Sequence, residues 1–166
     1  MNNKNKIIVF QDKKIRRIWH NEEWYFSVID VVFTLTESMD AKDYWYRLKK
    51  RESEQGIELS TDCRQLKLIS SDGKKYLTDC ANTKSMFRII QSIPSKKAEP
   101  FKKWLAQVGY ERIQEIENPE LGQNRIREYY KLKGYSESWI EKRLRGIAIR
   151  QELTDDREIA PPEFAS

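Results

Sequence analysis

Apolar and polar positions alternate through the first third of the chain. Ile7-Ile8-Val9-Phe10 predicts a short strand, and the polar stretch 11–14 predicts a turn. Residues 15–19 predict a second strand, with Ile15 and Ile18 separated by Arg16 and Arg17. His20-Asn21-Glu22-Glu23 then turns the chain into a third strand, Trp24-Tyr25-Phe26. At Ser27 the period changes from two to about 3.6. Ser27 and Asp30 have the spacing of a capping box, and Val28, Val31, Val32 and Leu35 then share one helical face. Asp40 and Asp43 repeat that spacing and open a second helix through about Glu52, with Tyr44, Trp45 and Leu48 as its apolar positions.

Strand character returns over residues 64–78. Gln65-Leu66-Lys67-Leu68-Ile69 alternates, Ser71-Asp72-Gly73-Lys74 is a turn signal, and Lys75-Tyr76-Leu77 pairs back. Thr78 or Asp79 is the expected cap of a third helix carrying Met86, Phe87, Ile90 and Ile93. After Pro94, a helix with Phe101, Trp104, Leu105, Val108, Ile113 and Ile116 reads as a core stripe. Asn118-Pro119 starts another helix, with Ile126, Tyr129 and Tyr130, which Gly134 stops. Ser136 caps the last, with Ile140, Leu144 and Ile147. The expected fold is α+β: a small antiparallel sheet packed against helices, with a helical C-terminal extension. The expected domains are 5–117, a helical hairpin at 118–153, and an acidic tail at 154–166 that lacks periodicity and reads as mobile.

Composition narrows the class. Nineteen aromatic residues among 166 supply a core, and the few Gly and Pro argue against long linkers. The net charge is +5, but its distribution says more. Residues 1–17 and 84–103 each carry six basic side chains and one acidic; 121–150 carry eight and three. Such blocks suggest a polyanionic partner, although a solvated helix face produces the same pattern. No apolar run is long enough for a bilayer, so no membrane partner is expected. Cys63 and Cys80 lack CxxC spacing, which fits a reducing cytoplasm.

The chemistry of a catalyst is missing. The single histidine, His20, falls at a turn. There is no zinc spacing, no phosphate-binding glycine loop and no nucleophile with a partner, so neither a catalytic residue nor a metal or other cofactor is expected. Basic residues interleaved with aromatics are present instead. The candidate DNA-binding residues are Arg47, Lys49, Lys50 and Arg51 on the second helix, and Arg64, Lys67, Lys74 and Lys75 on the hairpin, all as phosphate contacts. Folding is expected to gather them on one surface. Trp45, Trp104 and Trp139 lie near apolar stripes and read as core.

The order of these segments carries a resemblance. Trp24-Tyr25-Phe26-Ser27-Val28-Ile29-Asp30-Val31 leads to a basic helix, then to Arg64-Gln65-Leu66-Lys67 and Asp72-Gly73-Lys74-Lys75-Tyr76. Lys97, Ala98, Phe101 and Trp104 follow in a Lys-Ala-x-x-Phe-x-x-Trp segment. Over about residues 5–115 this resembles the Bro-N domain of phage and viral antirepressors. From Trp104 to Leu153, with Val108-Gly109-Tyr110-Glu111-Arg112 and Gly134-Tyr135-Ser136-Glu137-Ser138-Trp139, the chain is similar to the bacterial branch named for DNA-damage-inducible protein D. Full-length relatives in that branch continue well past the position of Asp155. The resemblance implies a DNA-binding or DNA-associated regulatory module and brings no catalytic residues. The expected partner is DNA, double- or single-stranded. The alternative is a module that occupies a repressor or recombination protein without touching DNA; a metal-dependent nuclease and a homodimer also stay open.

Overall fold

A computed structural model of the chain describes residues 14–36 and 38–159. The strand expected at residues 7–10 lies outside them, as do residues 160–166 of the acidic tail. The fold is α+β, with a four-stranded antiparallel sheet that curls. Strand β1 (Arg17–His20) pairs with β2 (Glu23–Ser27) in the register Arg17↔Phe26 to His20↔Glu23. The two-residue turn between them, Asn21-Glu22, has φ of 49° and 63°. Both central residues of such a hairpin turn need positive φ, which Asn tolerates and Glu pays for.

β2 runs directly into α1 (Val28–Leu35). The Asp30 amide donates to Ser27 Oγ at 3.4 Å, so the expected cap forms. The reciprocal half of the box does not. The Asp30 carboxylate accepts instead from Arg16, through its backbone N–H at 2.9 Å, Nε at 2.8 Å and Nη2 at 3.0 Å. The Ser27 amide turns to the Arg16 carbonyl at 2.9 Å. A charge-assisted bidentate pair outcompetes a single neutral cap bond. In α2 (Ala41–Glu54), Asp40 caps through the Asp43 amide at 3.0 Å, while the Asp43 carboxylate faces Arg47.

The hairpin of β3 (Arg64–Ile69) and β4 (Lys75–Asn82) is in the register Arg64↔Cys80 to Ile69↔Lys75. The expected helix cap at Thr78 or Asp79 is wrong. β4 continues to Asn82, because its last residues pair with β2 and place β4 inside the sheet, in the order β1-β2-β4-β3. Cys80 and Ala81 are fully buried there. Asn82 takes the capping role for α3 (Thr83–Gln91), accepting from the Ser85 amide at 2.9 Å.

Phe26 and Ala81 on one face of the sheet join Val31, Val32, Trp45, Leu48, Ile90 and Ile93 in the main core. Tyr25, Leu68 and Cys80 form a smaller cluster on the opposite face. The outer half of the hairpin extends past this core. Ile69 is 59% exposed and Leu77 61%. Its tip is held by its own bonds: Ser70 N–H to the Lys74 carbonyl at 2.8 Å, and Tyr76 OH to Asp72 Oδ2 at 2.6 Å. Gly73 sits at φ +79°, where a side chain would be strained.

Helix α4 (Glu99–Glu117) crosses from one compact unit to a second, the division falling between Val108 and Gly109. Its first turns bury Phe101 and pack Trp104 against Phe87 and Phe101. The expected core stripe ends there: Val108, Ile113 and Ile116 are exposed, because the helix outruns the core that its first turns cover. The second unit adds α5 (Glu120–Leu132) and α6 (Glu137–Ile159). Gly134, at φ +88°, ends α5 with Tyr135 N–H on the Tyr130 carbonyl and Gly134 N–H on the Lys131 carbonyl. Ser136 Oγ caps α6 through the Trp139 amide at 3.3 Å. Helix α6 continues to Ile159, so the start of the acidic stretch is helical. Ile140 is buried as expected, but Trp139 is not core. It lies one residue, or about 100° of helical turn, from Ile140, and is 38% exposed.

Candidate nucleic-acid interface

Pleating divides the hairpin's basic residues between two faces. Lys67 stands opposite Leu77, and Lys75 opposite Ile69, so the two lysines are diagonal neighbours on one face. Arg64 projects from the other face, opposite Cys80, and Lys74 belongs to the turn. All four are exposed, and none has a side-chain partner among the described residues.

The curl of the sheet brings the start of β1 to this hairpin. Arg16, Arg17 and Ile18 line a cleft of about 280 Å³ together with Lys67, Leu68, Ile69 and Lys75. Arg16 is the clamp. It holds Asp30 and donates Nη1 to the Ile69 carbonyl at 3.2 Å, tying β1 to the hairpin. Its guanidinium is held above its ordinary range, first by the Asp30 hydrogen bond, against the opposing effect of burial. Arg17 lies 4.3 Å over the Trp24 ring, which orients it, and it has no ion-pair partner among the described residues. Among the described residues, no acidic side chain lines the cleft.

The helical cations separate. Lys49 turns toward the sheet, where Nζ is 3.4 Å from Asp79 Oδ2 and 5.0 Å over the Trp45 ring. Arg47 pairs with Asp43 at 2.9 Å. Arg51 lies 3.9 Å from Glu52 and donates to the Ser92 carbonyl at 3.2 Å. Of the four predicted on this helix, Lys50 alone is exposed without a partner among the described residues. The eight basic residues therefore do not form one field. Three on α2 answer to carboxylates, and the open charge gathers on the hairpin.

Asp79 organises the junction between α2 and β4. Its carboxylate accepts from the buried Trp45 indole at 2.8 Å and from Gln65 at 3.4 Å. Burial disfavours its ionised form, but the Trp45 bond, the Lys49 charge and the Gln65 bond outweigh that and hold the carboxyl below its usual range. Lys49 is thus kept facing an ionised partner at neutral pH. A second cleft, of about 380 Å³, opens beside this junction between Lys42 and Trp45 of α2 and Tyr76 and Leu77 of β4.

Burial pushes the Cys63 and Cys80 thiols up to about 11, which keeps both protonated. Among the described residues, no group of three or more His, Cys, Asp or Glu is placed to hold a metal ion. No helix among them is long and apolar enough to cross a membrane.

A family model for the BRO family N-terminal domain, Bro-N, matches residues 14–111. The chain belongs to the BRO family. The match agrees in extent with the resemblance over about residues 5–115, and it covers the whole hairpin and the cleft beside it. Bro-N is an antirepressor-type N-terminal domain found in phage, a regulatory and DNA-binding family not known for catalysis. No curated protein matches the chain. No solved structure matches it either.

Within this Bro-N domain the sequence reading missed Arg16 and Arg17. Their signal was the basic excess at residues 1–17, but nothing local says that β1 starts beside the hairpin.

Proposed function

We propose that the Bro-N unit binds duplex DNA through the hairpin and the cleft beside it, as part of a regulatory protein. Arg17, Lys67 and Lys75 contact phosphates from the cleft, Lys74 from the tip, and Arg64 from the flank. Lys50 and Arg51 add a weaker contact from α2, where Arg51 must share its charge with Glu52, and Arg47 and Lys49 contribute least because carboxylates already hold them. The observation that carries the reading is the convergence of Arg17, Lys67 and Lys75 on a cleft that no acid lines among the described residues. A two-stranded ribbon projecting beyond its core has the dimensions to enter a major groove, about 12 Å wide. The resemblance of residues 104–153 to the damage-inducible branch supports reading the regulation as part of a response to DNA damage, in the cytoplasm.

Binding of a labelled random duplex at two salt concentrations tests this. Five cations on phosphates predict that log K falls against log salt with a slope of about −4.5. Absence of binding at about 50 mM salt favours the second reading, in which the hairpin docks on a protein such as a repressor. The exposed Ile69 and Leu77, on a sheet whose β3 edge is unpaired among the described residues, are the specific support for that alternative.

A further inference from the structure

The second unit carries a feature that the hairpin reading does not use. At the turn between α5 and α6, Tyr135 and Trp139 stack with ring centroids 4.1 Å apart and planes 15° from parallel. Tyr130 meets Trp139 edge-on at 5.3 Å and braces the pair. The stack is not closed off, since Tyr135 is 45% exposed and Trp139 38%.

The charge around it is lopsided. Of the eight basic residues in 121–150, Arg125, Arg127 and Lys131 are paired with Glu115, Glu141 and Glu137. Lys133, Lys142, Arg143, Arg145 and Arg150 have no ion-pair partner among the described residues. Pairing also consumes two of the three acids in that stretch and leaves only Glu128. Helical geometry puts Trp139, Lys142, Arg143, Gly146 and Arg150 within an arc of about 100°, along about 17 Å of α6.

Gly146 is a second sign. Glycine inside a helix weakens it, and no packing contact repays the loss, because a Cβ there would meet nothing within 4 Å. It leaves bare backbone between Arg143 and Arg150, where an external chain approaches unobstructed.

We propose that this strip of the α5–α6 hairpin binds single-stranded DNA. An unpaired base continues the Tyr135–Trp139 stack, and Lys142, Arg143 and Arg150 take the phosphates that follow. A duplex does not satisfy the site, because its base faces are already stacked. A second copy of the chain does not satisfy it, because two such strips repel. An aromatic platform followed by a line of cations is the general form of a sequence-tolerant single-strand site.

The test uses the full chain, a labelled 20-nucleotide oligo(dT) and a duplex of the same length. Trp139→Ala is expected to weaken oligo(dT) binding about tenfold, and Trp139→Phe to restore most of it. The triple variant Lys142→Gln/Arg143→Gln/Arg150→Gln changes only exposed side chains, so it keeps the test valid if Trp139→Ala unfolds the hairpin. It is expected to weaken oligo(dT) binding and reduce the magnitude of its salt slope by about 2. Lys67→Gln/Lys75→Gln is expected to weaken duplex binding and spare oligo(dT), which separates this site from the proposed cleft. Unchanged oligo(dT) affinity in the triple variant overturns the proposal. So does sedimentation showing that the triple variant separates a dimer while leaving oligo(dT) affinity intact.

Discussion

Replacing Lys67 and Lys75 together by glutamate is expected to weaken duplex DNA binding by about 100-fold at about 50 mM salt, and to reduce the magnitude of the salt slope by about 2. Both side chains are exposed on the same face of the hairpin, and neither has a side-chain partner among the described residues. The substitutions therefore break no ion pair, and stability is expected to stay within about 0.5 kcal/mol of the parent. The loss comes from two phosphates no longer neutralised and from two new negative charges that repel the strand. Fluorescence anisotropy with a thermal melt of the same sample measures both. The matched control is Arg47→Glu, which reverses a charge already held by Asp43 and is expected to cost far less affinity. Equal losses from the two variants would mean that binding follows net charge and has no location.

Asp30→Ala is expected to destabilise the Bro-N unit by about 3 kcal/mol, since it removes three hydrogen bonds to a carboxylate and leaves the guanidinium of Arg16 without its counter-charge. The Asp30 side chain is only 15% exposed, so water does not readily take its place. The effect reaches beyond α1. Arg16 also donates to the Ile69 carbonyl, so losing its orientation loosens the junction between β1 and the hairpin. A fall of roughly 10 °C in Tm is the expected reading, with Asp30→Asn between the two because it keeps acceptor capacity without the charge. A melting temperature unchanged by Asp30→Ala would show that the Arg16 clamp is dispensable.

Most of the local structure could be read because local rules governed it. Ser27, Asp40 and Ser136 cap helices where their spacing says they should, and Asp72-Gly73 closes the hairpin. The errors arose where a distant partner decided the outcome. Thr78 and Asp79 have good capping chemistry, but pairing with β2 draws Cys80 and Ala81 into the sheet and moves the cap to Asn82. The reciprocal cap from Asp30 lost to Arg16, fourteen residues upstream. Lys49 and Lys50 are adjacent in sequence yet point about 100° apart, and only Lys49 meets Asp79, thirty residues away. Sequence spacing alone cannot say which cation will be neutralised. The stripe on α4 failed for a related reason. Periodicity shows that Val108 shares a face with Phe101, but not that the core ends before it.

The same distinction holds for the proposed site. The sequence located basic residues but could not sort engaged from open ones, and it could not bring Arg17 to Lys67 and Lys75. That convergence depends on strand order and curl, which are properties of the assembled sheet.

The central claim is that duplex DNA meets the Bro-N unit at the cleft between β1 and the hairpin. A backbone amide chemical-shift map of the full chain, titrated with a short duplex, tests it most directly. The expected result is a contiguous set of shifts at Arg17, Lys67, Lys74 and Lys75, fading as salt is raised. Shifts confined to residues 109–159 at every duplex concentration, with the hairpin amides unmoved, would contradict it.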